Sequence, residues 1–282
     1  MTPSIEKIDF HGIEAFRLNG PNGASAIIST LGGQVLSWKT QDGRERLYLS
    51  EQAVFDGSMP VRGGVPVCFP QFGKEGELPR HGFLRTRRWA LNTERCGSDF
   101  ALLTLAVSDD DASRAVWPHP FQAELTLMIE ADRIDIELSI TNTGSAPFEF
   151  TGALHSYLRL VQVEDAALEG FYGHDYRDAV RGNEIKRDTG TELVVEGEMD
   201  RAYFNVRRPQ YLKAGNYSLG IQSQGFPDVV VWNPWVERCA ELKDMPADGW
   251  RQMLCVEAAI VREPVQLPAG EEWYGRQTLV IV

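Results

Sequence analysis

Two neighbouring stretches have the most regular pattern in the chain: QAELTLMIE over Gln122–Glu130 and RIDIELSI over Arg133–Ile140. In each stretch an apolar residue stands at every second position, and the positions between are mostly polar. A period of two is typical of antiparallel strands that pack one face on a core and leave the other half-exposed. Only Ala131 and Asp132 separate the two stretches, so the pattern predicts a tight β-hairpin.

Similar apolar runs recur along the chain, separated by turn-favouring pairs such as Asn22-Gly23 and Asp42-Gly43. No long segment has a clean helical period, and no linker-like, low-complexity or repeated segment divides the chain. The sequence therefore predicts an all-β protein, a large antiparallel β-sandwich that forms a single domain over residues 1–282. Further strands are predicted at Ser25–Ser29, Phe100–Val107, Phe148–Gly152, Asp228–Trp232, Met253–Ile260 and Gln277–Val282.

Composition limits the partners that the protein can have. The 282 residues carry 28 Lys and Arg against 40 Asp and Glu, a formal net charge of −12. Such an acidic chain is a poor candidate for binding nucleic acid or an anionic membrane.

No apolar run reaches the roughly 18 residues of a membrane span, and the start, MTPSIEKIDFHG, does not resemble a signal peptide. Four cysteines without disulfide or metal spacing favour reduced thiols, so we expect a cytoplasmic location: Cys68, Cys96, Cys239 and Cys255.

The segment Pro60–Trp89 differs from the rest, since its glycines and four prolines predict a long shaped loop rather than a strand. Between Arg62 and Arg88 it carries six basic and two acidic residues, against the overall charge of the chain. Arginine forks suit phosphate or carboxylate groups. The loop is either an anion pocket, most simply for a phosphate ester, or a solvated basic patch.

Four further residues are candidates for chemistry. His81 lies in this loop beside a glycine, and His155 lies in a predicted strand, Thr151–Leu160, on the face that also carries Tyr157. Glu257 is the only charged residue in the apolar run MLCVEAAI, so it needs partners or an elevated pKa, which would suit a general base. Each also has a structural interpretation, and Asp200 is weaker still when taken alone.

Several chemistries lack their motifs. The chain has no H-x-H, H-E-x-x-H or C-x-x-C metal spacing, no G-x-S-x-G elbow and no Walker loop. We therefore predict neither a metal nor an organic cofactor. A pair of glycosidase-type carboxylates stays open. Some tryptophans could stack on sugar rings, although a place in the core is the more common role: Trp232, Trp235, Trp250 and Trp273.

Seven segments in order resemble the hexose-6-phosphate mutarotase branch of the aldose 1-epimerase family, whose fold is a large antiparallel β-sandwich. The segments span about two-thirds of the chain, and only their combination is specific. They are VRGGVP from Val61, FPQFG from Phe69, LPRHGFLR from Leu78, ALHSYL from Ala153, DRAY from Asp200, VWNPW from Val231 and MLCVEA from Met253.

The resemblance implies a role for each matching residue. His155 would be the general acid, Glu257 the general base and His81 the second histidine of the active site. Asp200 would hydrogen-bond sugar hydroxyls. The phosphate would be bound by Arg62 and Arg85, with Arg80, which stands where this branch often has glutamine, as a third contact or pointing outward.

The implied reaction is the exchange of the α and β anomers of D-glucose 6-phosphate or a related hexose 6-phosphate through the open aldehyde. Two rival functions remain: an epimerase of unphosphorylated aldoses, and a non-catalytic module that binds a sugar phosphate. In each case the partner is a small molecule, and we expect a monomer.

Overall fold

A computed structural model describes residues 2–215 and 217–282, which form mostly antiparallel strands with two six-residue α-helices. The first half contains β1 (Ser4–Phe10), β2 (Ile13–Asn19), β3 (Ser25–Ser29), β4 (Val35–Lys39), β5 (Val67–Cys68), β6 (Ala90–Cys96), β7 (Ala101–Ser108), α1 (Asp111–Val116), β8 (Phe121–Ile129) and β9 (Arg133–Asn142). The middle contains β10 (Phe148–Leu154), β11 (Tyr157–Arg159), β12 (Ala166–Glu169), β13 (Asp175–Asp178), β14 (Glu184–Arg187), β15 (Glu192–Val194) and β16 (Met199–Tyr203). The last part contains β17 (Gln210–Ala214), β18 (Tyr217–Gln224), β19 (Asp228–Asn233), α2 (Trp235–Ala240), β20 (Met253–Leu267) and β21 (Glu272–Ile281).

Within the described residues the strands form three sheets. A nine-stranded sheet has the order β15-β12-β17-β18-β21-β9-β8-β7-β6. An eight-stranded sheet has the order β14-β13-β16-β19-β20-β10-β5, with β11 also paired to β20. Strands β1 to β4 form a four-stranded sheet. One large apolar cluster joins inward-facing residues of all three sheets, so the predicted β-sandwich is confirmed.

The hairpin that led the prediction is present as β8 and β9. Ile129 pairs with Ile134, and the Glu130 N–H donates to the Arg133 carbonyl at 2.9 Å. In β8 every second residue is buried and the residues between are half-buried, as the period of two requires. The other predicted strands are also present, although β20 continues to Leu267 and β21 begins at Glu272.

Strand β20 has two different environments on its two faces. Leu254, Val256 and Ala258 face the large core, whereas Ala259 belongs to a smaller cluster with residues of β5, β10, β16 and β19. Because side chains alternate along a strand, Glu257 shares the face of Ala259 and not that of the large core. This second face of the eight-stranded sheet is where the candidate site lies.

Two local predictions need correction. The strand predicted at Thr151–Leu160 is interrupted, since β10 ends at Leu154 and β11 begins at Tyr157. The loop predicted at Pro60–Trp89 contains the short strand β5 and a 3-10 turn at Leu84–Thr86. No helix among the described residues is long and apolar enough to cross a membrane.

Candidate functional site

The centre of the site is a direct contact between His155 and Glu257. His155 Nε2 lies 3.3 Å from Glu257 Oε1, although the two residues are far apart in sequence. His155 is 8% exposed and Glu257 is 1% exposed. Buried titratable groups in contact can pass a proton between partners without first reorganising water.

The interruption between β10 and β11 places the His155 ring. After a register shift between Phe150 and Gly152, β10 stays paired with β20 as far as Leu154. The next residue leaves the ladder, and the His155 N–H donates to the Pro66 carbonyl at 3.0 Å. The imidazole then stacks on the Tyr157 ring, with 4.8 Å between centroids. Packing against this neighbour limits the orientations open to the imidazole.

One row of cross-strand partners forms the floor beside this pair. Tyr157 of β11 pairs with Cys255 of β20, Cys255 pairs with Trp232 of β19, and Trp232 pairs with Asp200 of β16. Directly opposed residues of antiparallel strands point to the same face. The Trp232 ring meets the His155 ring edge-on at 6.1 Å. Asp200 and Trp232 therefore belong to the same surface as the acid–base pair.

His81 approaches from the loop and is held in an unusual backbone conformation. Its φ is 65°, and Gly82 follows with φ 69°. A Cβ on Gly82 would lie 2.0 Å from the Phe69 carbonyl oxygen, so only glycine fits there. The His81 ring lies 5.5 Å from the His155 ring, edge to face. Strained backbone of this kind is frequent at functional sites.

Arg80 reaches over the His81 imidazole. Its Nε donates to His81 Nε2 at 3.1 Å, while the Gly73 N–H points at His81 Nδ1 from 3.3 Å. A neutral imidazole has one acceptor nitrogen, so it cannot accept both hydrogen bonds. The Arg80 guanidinium therefore contacts the site, but the His81 ring can accept only one of these two hydrogen bonds at a time.

Two more arginines complete the basic side of the site. Arg62 Nε donates to Asp244 Oδ2 at 3.1 Å, and Arg62 Nη1 donates to the Tyr157 hydroxyl at 2.9 Å. Arg85 donates from Nη2 to the Arg80 carbonyl, but its buried Nε has no hydrogen-bond partner among the residues that the structure describes. A buried donor without a partner is costly, so this guanidinium suits an anion from outside the chain.

The protonation of the central pair follows from burial. Burial, together with the nearby Asp200 carboxylate, raises the pKa of Glu257 well above its ordinary value, against the effect of Arg80 and Arg85. Burial lowers the pKa of His155 well below its ordinary value, and His81 and the arginines lower it further. The contact therefore favours a neutral carboxylic acid beside a neutral imidazole in the free protein, rather than an ion pair.

The same causes act on the neighbours of the pair. Burial and then the charges of Arg85, Arg80 and Arg62 lower the pKa of His81 to about 2, so His81 is a neutral imidazole at physiological pH. Burial raises the pKa of Asp200 above its ordinary value. The positive charge of the site is therefore concentrated on its arginines.

All seven residues singled out from the sequence lie in this one region. Contacts join His155 to Glu257 and His81, His81 to Arg80, and Arg80 to Arg85. Arg62 is joined through Tyr157 to His155. Asp200 lies close enough to Glu257 to affect its pKa.

Two residues that lie at the site could not be identified from the sequence. Asp244, the ion-pair partner of Arg62, lies 182 residues away from it in the polar segment before Trp250. Cys255 was interpreted only as a buried thiol, and its place beside His155 and Glu257 depends on strand pairing that no local motif records.

Comparison with known proteins decides the family. The family model described as Aldose 1-epimerase matches residues 14–279. The chain belongs to the aldose 1-epimerase family. This confirms the resemblance inferred from the seven sequence segments.

Relatives and a solved structure agree with this assignment. A protein of Cenchrus ciliaris with the provisional name glucose-6-phosphate 1-epimerase is 34% identical, over 96% of this chain and 85% of its own length. An Escherichia coli K12 protein with the same provisional name is 32% identical, over 82% of this chain and 78% of its own. The crystal structure of a provisionally described mutarotase (YeaD) from Salmonella typhimurium has a TM-score of 0.91 at 26% identity and covers 99% of this chain and 93% of that one.

Proposed function

We propose that the protein interconverts the α and β anomers of a hexose 6-phosphate, with D-glucose 6-phosphate, the sugar named for its relatives, as substrate. The observation that carries this proposal is the 3.3 Å contact between His155 and Glu257 beside a group of three arginines. The contact supplies proton transfer, and the arginines supply binding of the phosphate.

The reaction requires two proton transfers at neighbouring oxygens. In a pyranose, O1 and O5 are bonded to the same carbon, so two side chains in contact with each other can each reach one of them. Glu257, as carboxylate, takes the proton from the O1 hydroxyl, and His155, as imidazolium, gives a proton to O5 as the C1–O5 bond breaks. The C1–C2 bond rotates, and both transfers reverse as the ring closes on the other face of the aldehyde. Each transfer supplies about 10²–10⁴-fold.

Substrate binding supplies the protonation state that this mechanism needs. In the free site the guanidinium groups of Arg62, Arg80 and Arg85 lower the pKa of His155. A phosphate dianion placed among them offsets their charge, and its own field favours the imidazolium. The proton on the neutral Glu257 can then pass to His155 across their contact. The resulting carboxylate and imidazolium are the forms that open the ring.

The unpartnered Nε of Arg85 favours a phosphorylated sugar over an unphosphorylated aldose. A phosphate oxygen would satisfy this donor, whereas a sugar hydroxyl would leave the buried charge without compensation. The phosphate anchors C6 while C1 moves, and Asp200 and the neutral His81 are placed to hydrogen-bond ring hydroxyls. Arg80, which contacts His81, is the third basic group that can reach the phosphate.

We place this activity in the cytoplasm, in a monomer. All four cysteines, which lie in the described part of the chain, carry free thiols, as is usual in a reducing compartment. The ring contacts, hydrogen bonds and ion pair described for the site come from one chain, so one copy supplies the whole proposed machinery.

The test is to compare kcat/KM for α-D-glucose 6-phosphate and α-D-glucose by polarimetry. We expect strong preference for the phosphorylated sugar. Arg62→Gln and Arg85→Gln should each raise KM for it at least about 10-fold, since a charge-assisted hydrogen bond contributes roughly 1.5–3 kcal/mol, with little change in kcat. Arg88→Gln, an exposed arginine of the same loop, is the matched control and should not change KM.

Two outcomes would contradict the proposal. Equal kcat/KM for the two sugars would favour an epimerase of unphosphorylated aldoses. Saturable binding of glucose 6-phosphate without acceleration over buffer would favour a non-catalytic module.

A further inference from the structure

One buried group beside the acid–base pair has no role in the proposed reaction. Cys255 is 0% exposed, and it stands between Tyr157 and Trp232 in the cross-strand row that forms the floor of the site. Ligand atoms of His155, Cys255 and Glu257 all lie within 4.8 Å of one another. The three residues offer an imidazole nitrogen, a sulfur and a carboxylate oxygen, which are the three donor types that zinc accepts in proteins.

The spacing of this trio agrees with tetrahedral coordination. Zinc–ligand distances of about 2.0–2.3 Å put neighbouring ligand atoms about 3.3–3.6 Å apart in a tetrahedron. His155 Nε2 and Glu257 Oε1 are already 3.3 Å apart. The ligand atom of Cys255 lies within 4.8 Å of those of His155 and Glu257, so a bound metal would draw the sulfur closer to them.

A second observation points to a ligand at this place. Glu257 Oε2 is buried and has no hydrogen-bond partner within residues 2–215 and 217–282, and the residue is 1% exposed. A carboxyl oxygen in this state is available to a cation that displaces the carboxyl proton. Three protein ligands would leave a fourth position on the metal for water.

We propose that His155, Cys255 and Glu257 form an inhibitory zinc site that coincides with the acid–base pair. The metal bonds to imidazole Nε2, to the thiolate and to the carboxylate, and the thiol proton and any proton on Glu257 pass to solvent. Zinc held in this way occupies both groups that would otherwise exchange protons with the sugar.

The surroundings of His155 indicate reversible inhibition rather than a resident metal. Resident zinc sites fix the second nitrogen of a histidine ligand with a hydrogen bond. In the described part of the chain, His155 Nδ1 is buried without a partner. The site therefore lacks the outer support of a permanent zinc centre, and we expect chelators to remove the metal while the fold persists.

Cobalt(II), which gives a thiolate charge-transfer band, tests binding without any assay of activity. The experiment uses the full chain carrying Cys96→Ser, because Cys96 is the exposed thiol. We expect the band in this parent, its loss in Cys255→Ala, and its retention in Cys68→Ala, a matched change of another fully buried cysteine near the same face. Cys255→Ser, which preserves volume, guards against misfolding of the alanine variant and should also lack the band.

Zinc affinity, measured by isothermal titration calorimetry, should fall more than about 100-fold in Cys255→Ala, since even outer-shell changes cost 10–100-fold. No cobalt band in the parent, or a band that survives both Cys255 changes, would overturn the site. The inhibitory part rests on the proposed function: zinc should suppress anomer exchange in the parent and not in Cys255→Ala. If the parent has no exchange activity but the cobalt results hold, the function fails and the metal site stands.

Discussion

The proposed chemistry depends on two buried titratable residues, and the site disfavours the charged form of each one. Burial raises the pKa of Glu257 and lowers that of His155, so the neutral forms dominate in the empty site. The arginines that would bind the phosphate reinforce the effect on His155. We therefore propose that binding of the substrate anion is coupled to protonation of His155, a coupling between side chains that only the folded chain brings together.

Phosphate should therefore raise the pKa of His155. In the free protein His155 should remain neutral well below its ordinary pKa of 6.5, and inorganic phosphate should shift its titration upward. The measurement is NMR titration of histidine-labelled protein, with His155→Gln to assign the signal. Arg85→Gln should weaken the shift. A His155 that titrates at its ordinary value and ignores phosphate would contradict the coupling.

Among single residues, those that break a local sequence pattern could be identified as site candidates from the sequence. Site residues that fit the pattern around them could not. Glu257 is noticeable because it interrupts an apolar run, and His155 because it shares a strand face with Tyr157. Asp244 is one acidic residue among several in a polar loop, so its contact with Arg62 is visible only after folding. Cys255 fits its apolar run, and nothing local distinguishes it from a core residue.

Among the elements, the strands with a buried face were predicted and many exposed strands were not. β8 alternates between buried and half-buried residues, whereas β6 and β14 are exposed at every residue. A strand that is exposed on both faces shows no alternation of apolar and polar residues. Its position in the sheet depends on backbone hydrogen bonds to the neighbouring strand, which the sequence does not record. The interruption at His155 was also missed, because alternation of side chains continues across it.

The loop around His81 offers a prediction about one element. Gly82→Ala would place a Cβ 2.0 Å from the Phe69 carbonyl oxygen at φ 69°, whereas Gly73→Ala would add one in open space at φ 65°. Both changes carry backbone strain, but only the first must displace the loop. Gly82→Ala should lower the free energy of unfolding about 1–3 kcal/mol more than Gly73→Ala does. It should also lower kcat/KM at least about 10-fold, as urea denaturation and polarimetry can measure. Equal effects of the two changes would contradict this view of the loop.

For the whole molecule, one large core joins the three sheets, and the candidate site lies on the second face of the eight-stranded sheet. We propose that the chain unfolds as a single domain, with one calorimetric transition. Inward-facing alternation was enough to predict this sandwich. The net charge of −12 predicted little about the site, because the three arginines of the site come from the single basic segment Pro60–Trp89.

Global stability should respond to pH through Glu257. The raised pKa means that the folded protein keeps this proton at pH values where the unfolded chain, with an ordinary pKa of 4.5, has lost it. The contribution of Glu257 is thus fully present below pH 4.5 and is lost as the pH rises through the folded pKa. Glu257→Gln should be more stable than the parent at neutral pH and should gain nothing in acid. Urea denaturation at both pH values measures this, with the exposed Glu94→Gln as control. A gain that does not depend on pH would contradict it.

The most direct test of the central claim is magnetisation exchange between the H1 signals of α- and β-D-glucose 6-phosphate. We predict that the protein accelerates this exchange, and that Glu257→Gln and His155→Ala each remove roughly 10²–10⁴-fold of the acceleration. Cys239→Ala, a buried change away from the acid–base pair, should retain it. Exchange no faster than in buffer, or full acceleration in Glu257→Gln, would contradict the account.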